Sequence, residues 1–131
     1  LRPENIYGGV PKQGTMMYNF EFNDKLYING DGEQTRDFIH IEDFVDIVKA
    51  SFGNKWNGKV VQVGSGKIHT VNELAELFKK YTGKKIVHRK AISEVRDSVA
   101  DTELLEKLYK KKLKWKIENH IKYIYGKGKK K

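Results

Sequence analysis

The sequence predicts a mixed α/β domain with short connections and a parallel sheet, and three observations lead there. Short runs rich in β-branched and aromatic residues alternate with longer stretches of helical spacing. Glycine turns such as Gly30-Asp31-Gly32, Asn57-Gly58 and Gly64-Ser65-Gly66 mark the changes of period. Two strand-to-strand intervals, Asp37 to Val63 and Lys59 to Val87, each enclose a helix and have the length of a right-handed βαβ crossover.

Taken in order, Leu1 to Tyr7 reads as a strand end running into a loop closed by Gly8-Gly9-Val10-Pro11. Thr15 to Phe22 has helical spacing, anchored by Met16, Met17 and Phe20. Leu26-Tyr27-Ile28 is a short strand stopped by the Gly30-Asp31-Gly32 turn, and Asp37 to Ile41 alternates as a half-buried strand does. From Glu42 the period changes, and Phe44, Val45, Ile47, Val48, Ser51 and Phe52 share one helical face. Glu42 and Asp43 fall in its first turn, where negative charge complements the helix dipole. Lys59 to Val63 is a strand. Thr70 and Glu73 form a capping box for a helix with a core face of Val71, Leu74, Ala75, Leu77, Phe78 and Tyr81, stopped by Gly83. Lys85 to His88 is a further strand, Asp101 caps a helix carrying Leu104, Leu105 and Leu108, and Ile117 to Tyr125 forms the last helix.

Composition narrows the chemistry. The 131 residues suffice for one modest core, and no apolar run reaches the roughly 18 residues of a membrane helix. No secretory leader is visible, so a cytoplasmic location is expected. The chain opens on Leu1 rather than Met, which predicts a fragment or a processed product. The absence of cysteine excludes disulfides, thiolate zinc sites and cysteine nucleophiles. The formal charge is +9, but Lys107 to Lys131 holds eleven lysines against one acid, Glu118. The basicity is therefore a C-terminal feature, and residues 126–131 are expected to be a disordered basic tail. Such a tail could contact nucleic acid or an acidic partner through charge alone.

Arg36 stands between a glycine turn and a strand, so its guanidinium is held at the mouth of a rigid element. A planar fork of donors suits bidentate contact with phosphate or carboxylate. Arg96 has a similar setting in Glu94-Val95-Arg96-Asp97. Either arginine can instead form a structural ion pair, with Asp37 or Asp97 as the obvious partner. His40, Glu42, Asp43 and Asp46 lack the spacing of a helical zinc pair, so no metal site is predicted. Gly64-Ser65-Gly66-Lys67 lacks the earlier glycine and the Ser/Thr of a phosphate loop, so it reads as a strand-to-helix turn.

Four ordered segments resemble the extended short-chain dehydrogenase/reductase family, in its nucleotide-sugar epimerase and dehydratase branch. They are Leu1-Arg2-Pro3-Glu4-Asn5-Ile6-Tyr7-Gly8, the run from Gly30 to Asp43, Val63-Gly64-Ser65-Gly66 with Thr70 to Leu74, and Glu94 to Asp101 with Trp115 beyond. The resemblance covers nearly residues 1 to 122. It implies the C-terminal, substrate-binding part of an NAD-dependent epimerase or dehydratase over residues 1–125, without the glycine-rich half of the Rossmann domain. It implies that Asn5 bonds near the substrate diphosphate and that Arg36 and Arg96 clamp the two phosphates of a nucleoside diphosphate sugar. It also implies that Tyr7 and Gly8 lie where the sugar meets the nicotinamide.

The glycine-rich dinucleotide fingerprint is absent, and the family's Tyr-x-x-x-Lys pair belongs upstream of Leu1. Three literal matches, Tyr81 with Lys85, Tyr123 with Lys127 and Tyr125 with Lys129, compare with roughly one expected by chance and fall outside the family's helix. The resemblance therefore implies no catalytic residue here and no cofactor on this chain alone, with NAD belonging to the intact enzyme. A Rossmann-domain partner chain or self-association would cover the edges that the missing half leaves bare. Three positions differ from the family's usual residues: Glu4, Ser93 and Lys114. The link from Trp115 to the last helix is a few residues short. The alternative is a non-catalytic binding or structural protein that keeps the fold.

Overall fold

The computed structural model describes residues 1–9, 15–92, 97 and 99–126. Strands β1 (Arg2–Pro3) and β2 (Asn5–Tyr7) are followed by helix α1 (Met16–Phe22), then β3 (Leu26–Asn29), β4 (Thr35–Arg36) and β5 (Phe38–His40). Helix α2 (Ile41–Ala50) leads through a short turn to β6 (Gln62–Val63) and β7 (His69–Thr70). Helix α3 (Val71–Thr82), β8 (Ile86–Arg89), α4 (Glu103–Tyr109) and α5 (Ile117–Gly126) complete the order.

Parallel pairing is present, but not between the strands that the crossover lengths suggest. β5 and β6 do not pair with each other; β2 runs parallel to β5 and β1 parallel to β6. The reason lies in strand alternation. The amides of Arg2 and Glu4 donate to Val61 O and Val63 O, both at 2.8 Å, whereas the amide of Asn5 turns to Asp37 O. One continuous segment thus joins two neighbours in succession. β8 pairs with β3 rather than β6, in the register Leu26↔Ile86 to Asn29↔Arg89. β4 and β7 are antiparallel.

Local chemistry sets the helix ends. Thr15 Oγ1 caps α1 by accepting from the Tyr18 amide. Thr70 Oγ1 accepts from the Glu73 amide, while the Glu73 carboxylate lies 3.8 Å from His69 Nδ1. Gly83, at φ +73°, ends α3 in the left-handed conformation. Asp101 accepts from the Glu103 amide at 3.2 Å, so it serves α4 from one residue before the N-cap position, Thr102.

Among the described residues, two apolar cores result. In one, Leu74, Ala75 and Phe78 of α3 pack with Phe20, Leu26, Ile28, Ile117 and Ile121. In the other, Ile39, Ile47, Trp56, Val61, Val63 and Leu105 gather between α2, β5, β6 and α4. Each fully buried large side chain contributes about 1.5–3 kcal/mol of transfer free energy. The face expected of α2 is narrower in fact: Ile47 is buried, but Val45 is 41% and Phe52 83% exposed. Among the described residues, no helix is long and apolar enough to cross a membrane. Residues 127–131 of the expected tail lie outside the described residues.

Candidate functional site

The Gly30–Gly32 turn precedes β4 and Arg36, and the bolt that fixes the turn comes from α3. Asn72 Nδ2 donates to Asp31 O at 2.9 Å and to Glu33 Oε1 at 2.6 Å, and its amide donates to Gly32 O. Gly32 has φ +75°, and a side chain there would collide with Asn72, so only glycine fits the bolt. Arg36 then enters β4 opposite His69, with Nη1 donating to Thr35 O at 2.7 Å.

Asn5, Tyr7 and Arg36 line one cavity of about 500 Å³, within the size range of small-molecule sites. Asn5 Nδ2 donates to Asp37 O at 3.2 Å. Tyr7 is 4% exposed, and burial, with the Asp43 charge second, pushes its phenol well up. It therefore stays a neutral donor at ordinary pH and is no proton acceptor. Gly8, at φ +102°, lies against the His40 ring, where a Cβ would collide.

Tyr27, Asn29 and Gln34 also line this cavity, and sequence reasoning missed them. The alternation of β3 could have found two of them: Leu26 and Ile28 are buried, so Tyr27 and Asn29 take the opposite face. Gln34 Nε2 donates to Asn29 O, and the Arg89 guanidinium sits 4.6 Å from the Tyr27 ring centroid. Arg96 lies outside the described residues. Its neighbour Asp97 forms an isolated parallel bridge with Thr35 and accepts from Thr35 Oγ1 at 2.9 Å. That contact sets Asp97 beside β4, the strand that carries Arg36.

Asp37 has a different role from the one its position suggests. It is fully buried, and its carboxylate accepts from Ser65 N, Ser65 Oγ, Gly66 N and Ala100 N at 2.6–3.1 Å. The Gly64–Gly66 turn is thus closed around an internal anion, and two of its amides are unavailable to an external phosphate. The acids beside His40 are engaged too. Asp43 accepts from the Lys114 and Trp115 amides, and Asp46 pairs with Lys114 Nζ at 2.9 Å.

Behind the cavity, Tyr7, His40, Trp115 and His120 form an aromatic cluster. Trp115 stacks on His40 at 4.3 Å and 9°, and the two histidine rings are 5.2 Å apart. His40 Nδ1 accepts from the Glu42 amide at 3.0 Å, making His40 the N-cap of α2. His120 Nδ1 is buried with no hydrogen-bond partner among the described residues. His120 also went unnoticed in the sequence, although it follows Ile117 by three residues and precedes Ile121 on the apolar face.

Burial lowers both histidines, opposed at His40 by Glu42 and Asp43 and reinforced at His120 by His40. Unfolded histidines take up protons near pH 6.5, before the folded ones. The unfolded state therefore holds more protons in that window. Stability is fully present above about pH 6.5 and falls as pH drops through the lowered folded values. Urea unfolding at pH 7.5 and 5.5 should show this loss, and His120→Phe should reduce the difference. An equal difference in the variant would remove His120 from the account.

Comparison with known proteins gives a consistent pattern. Residues 11–127 match the family described as GDP-mannose 4,6 dehydratase. The chain is 36% identical over 97 residues to the UDP-N-acetyl-alpha-D-glucosaminuronate decarboxylase of Bacillus cytotoxicus, covering 67% of this chain and 30% of that one. Among solved structures it is similar to TunA, described as an NAD-dependent NDP-hexosamine 5,6-dehydratase. That match has 28% identity and a TM-score of 0.81, over 92% of this chain and 42% of the other. It is also similar to the UDP-glucose 4-epimerase of Thermotoga maritima, solved with UDP-glucose. Here identity is 26% and the TM-score 0.80, over 99% of this chain and 46% of the other. The chain thus spans about 30% of the length of that curated relative and under half of either solved structure.

Proposed function

The chain belongs to the GDP-mannose 4,6 dehydratase family, among the extended short-chain dehydrogenase/reductase epimerases and dehydratases of nucleotide sugars, and from that premise we propose that it is the part of such an enzyme that grips a nucleoside diphosphate sugar. The observation that carries this is the convergence of Asn5, Tyr7 and Arg36 on one cavity. Arg36 supplies a charged fork for one phosphate, and Asn5 supplies an amide beside it. Arg96, next to the Asp97 that meets Thr35, is the second phosphate ligand. The ligand bound by the Thermotoga relative, UDP-glucose, is of this class.

NAD serves the intact enzyme in this reading, as the description of TunA suggests for that relative. The residues present here do not fit it. The Gly64–Gly66 turn gives two amides to Asp37, and Tyr81 is packed against the first core. No step of the reaction is assigned to this chain, which supplies grip and specificity. Leu1, Ile6 and Val60 are 44%, 41% and 61% exposed along the β1, β2 and β6 region. A Rossmann-domain partner or a second copy would cover them.

Calorimetric titration with UDP, dTDP and GDP tests the grip. One nucleotide should bind saturably, and Arg36→Ala should weaken it by about 1.5–3 kcal/mol, the usual loss for a charged hydrogen bond. Arg96→Ala should do the same. Unchanged affinity in both variants would refute the phosphate clamp.

A further inference from the structure

We propose that the chain has a second ligand site, for a small apolar carboxylate, between α4 and the link to α5. A cavity of about 430 Å³ opens there, separated from the first by Tyr7 and Phe38, which line both. Its apolar wall is made by Leu105 and Tyr109 of α4, Leu113 and Trp115 of the link, and Ile117 at the start of α5. Residues 110–116 are neither helix nor strand and run directly into α5, so this short link forms one side of the opening.

The rim carries charge of one predominant sign. Lys67, Lys111, Lys112 and Lys116 line the cavity and are exposed, against the two carboxylates Glu106 and Glu118. None of the four lysines is held in an ion pair among the described residues, unlike Lys114, which is committed to Asp46. Lysine ammonium groups on flexible stems place point charges over an apolar wall.

The ligand that satisfies both features has an apolar body and a single negative charge at one end. A di- or triphosphate fits poorly: among the described residues no arginine lines this cavity, and the Ser65 and Gly66 amides beside it are bound by Asp37. The modest excess of lysine over glutamate also suits one charge. Burial of the chain supplies affinity, and the lysines orient the carboxylate toward the mouth.

Octanoate and 1-octanol, which share a chain length and differ in charge, make the test. Calorimetry at about 0.1 M salt, where screening still leaves short-range attraction, should give one octanoate site per chain. Octanoate should bind about tenfold more tightly than octanol. Lys111→Glu/Lys112→Glu should weaken octanoate by about tenfold without moving the unfolding transition, since both side chains are exposed. Arg36→Ala should leave octanoate binding unchanged. Equal affinity for the two probes, an unaltered double variant, several weak sites, or an equal loss in Arg36→Ala would each overturn the proposal. The readout does not involve nucleotides, so it stands or falls separately from the phosphate clamp.

Discussion

Asp37→Ala should cost about 3–5 kcal/mol of folding stability, several charged hydrogen bonds being lost at once with their donors left buried. The carboxylate gathers four donors from two segments that are distant in sequence, the Ser65–Gly66 turn and Ala100. Gly64 packs so closely that a Cβ there would lie 2.8 Å from Asp37 Oδ2, so the space cannot be refilled by a larger turn residue. Asp37→Asn keeps the shape but presents an amide donor to a ring of donors, and should recover only part of the loss. For a domain of typical total stability, about 5–15 kcal/mol, the alanine change removes a large share. A shift in the urea midpoint checks it. A loss below about 1 kcal/mol would mean that water replaces the carboxylate without strain.

Asp43→Ala should cost about 2–4 kcal/mol, because it releases two backbone amides from a side chain that is 1% exposed. Asp43 accepts from Lys114 N at 2.8 Å and Trp115 N at 3.0 Å, and so fixes the link against α2. The Trp115 it holds by the amide is the ring that stacks on His40. In a Trp56→Phe background, where Trp115 alone reports, the substitution should shift tryptophan emission to the red as the ring leaves its stack. Asp43→Asn retains one acceptor oxygen and should lie between the two. An unchanged spectrum would show that the ring contacts hold the link without Asp43.

These two aspartates show where sequence reasoning stopped. Asp43 was legible as an acid in the first turn of a helix, which is a local property, and α2 does place it there. Its partners are 71 and 72 residues away, beyond any periodicity. Asp37 reads from the sequence as a partner for the adjacent Arg36, whereas its carboxylate, just before β5, turns toward Ser65, Gly66 and Ala100. The helices were readable because amphipathic spacing and Thr or Gly caps are written within a few residues. The strands were found but their partners were not, since β1 and β2 share one segment between β6 and β5. The Gly30–Gly32 turn and Arg36 were legible together because a rigid turn before a strand has a local signature. Asn72, which holds that turn, has no such signature, because its partners Asp31 and Glu33 are 41 and 39 residues upstream.

The segment from Arg2 to Tyr7 also has a history during synthesis. It pairs with residues 38–40 and 61–63, so neither ladder can close until those residues exist. At ribosomal rates of about 5–20 residues per second, the interval to Val63 is roughly 3–11 s. Through it the nascent chain carries an unpaired strand, the kind of template that recruits a neighbouring chain. Arg2 and Glu4 put opposite charges on that strand, and Pro3 removes one of its donors. The same residues that later enter the ladder thus make the waiting strand a poor substrate for aggregation.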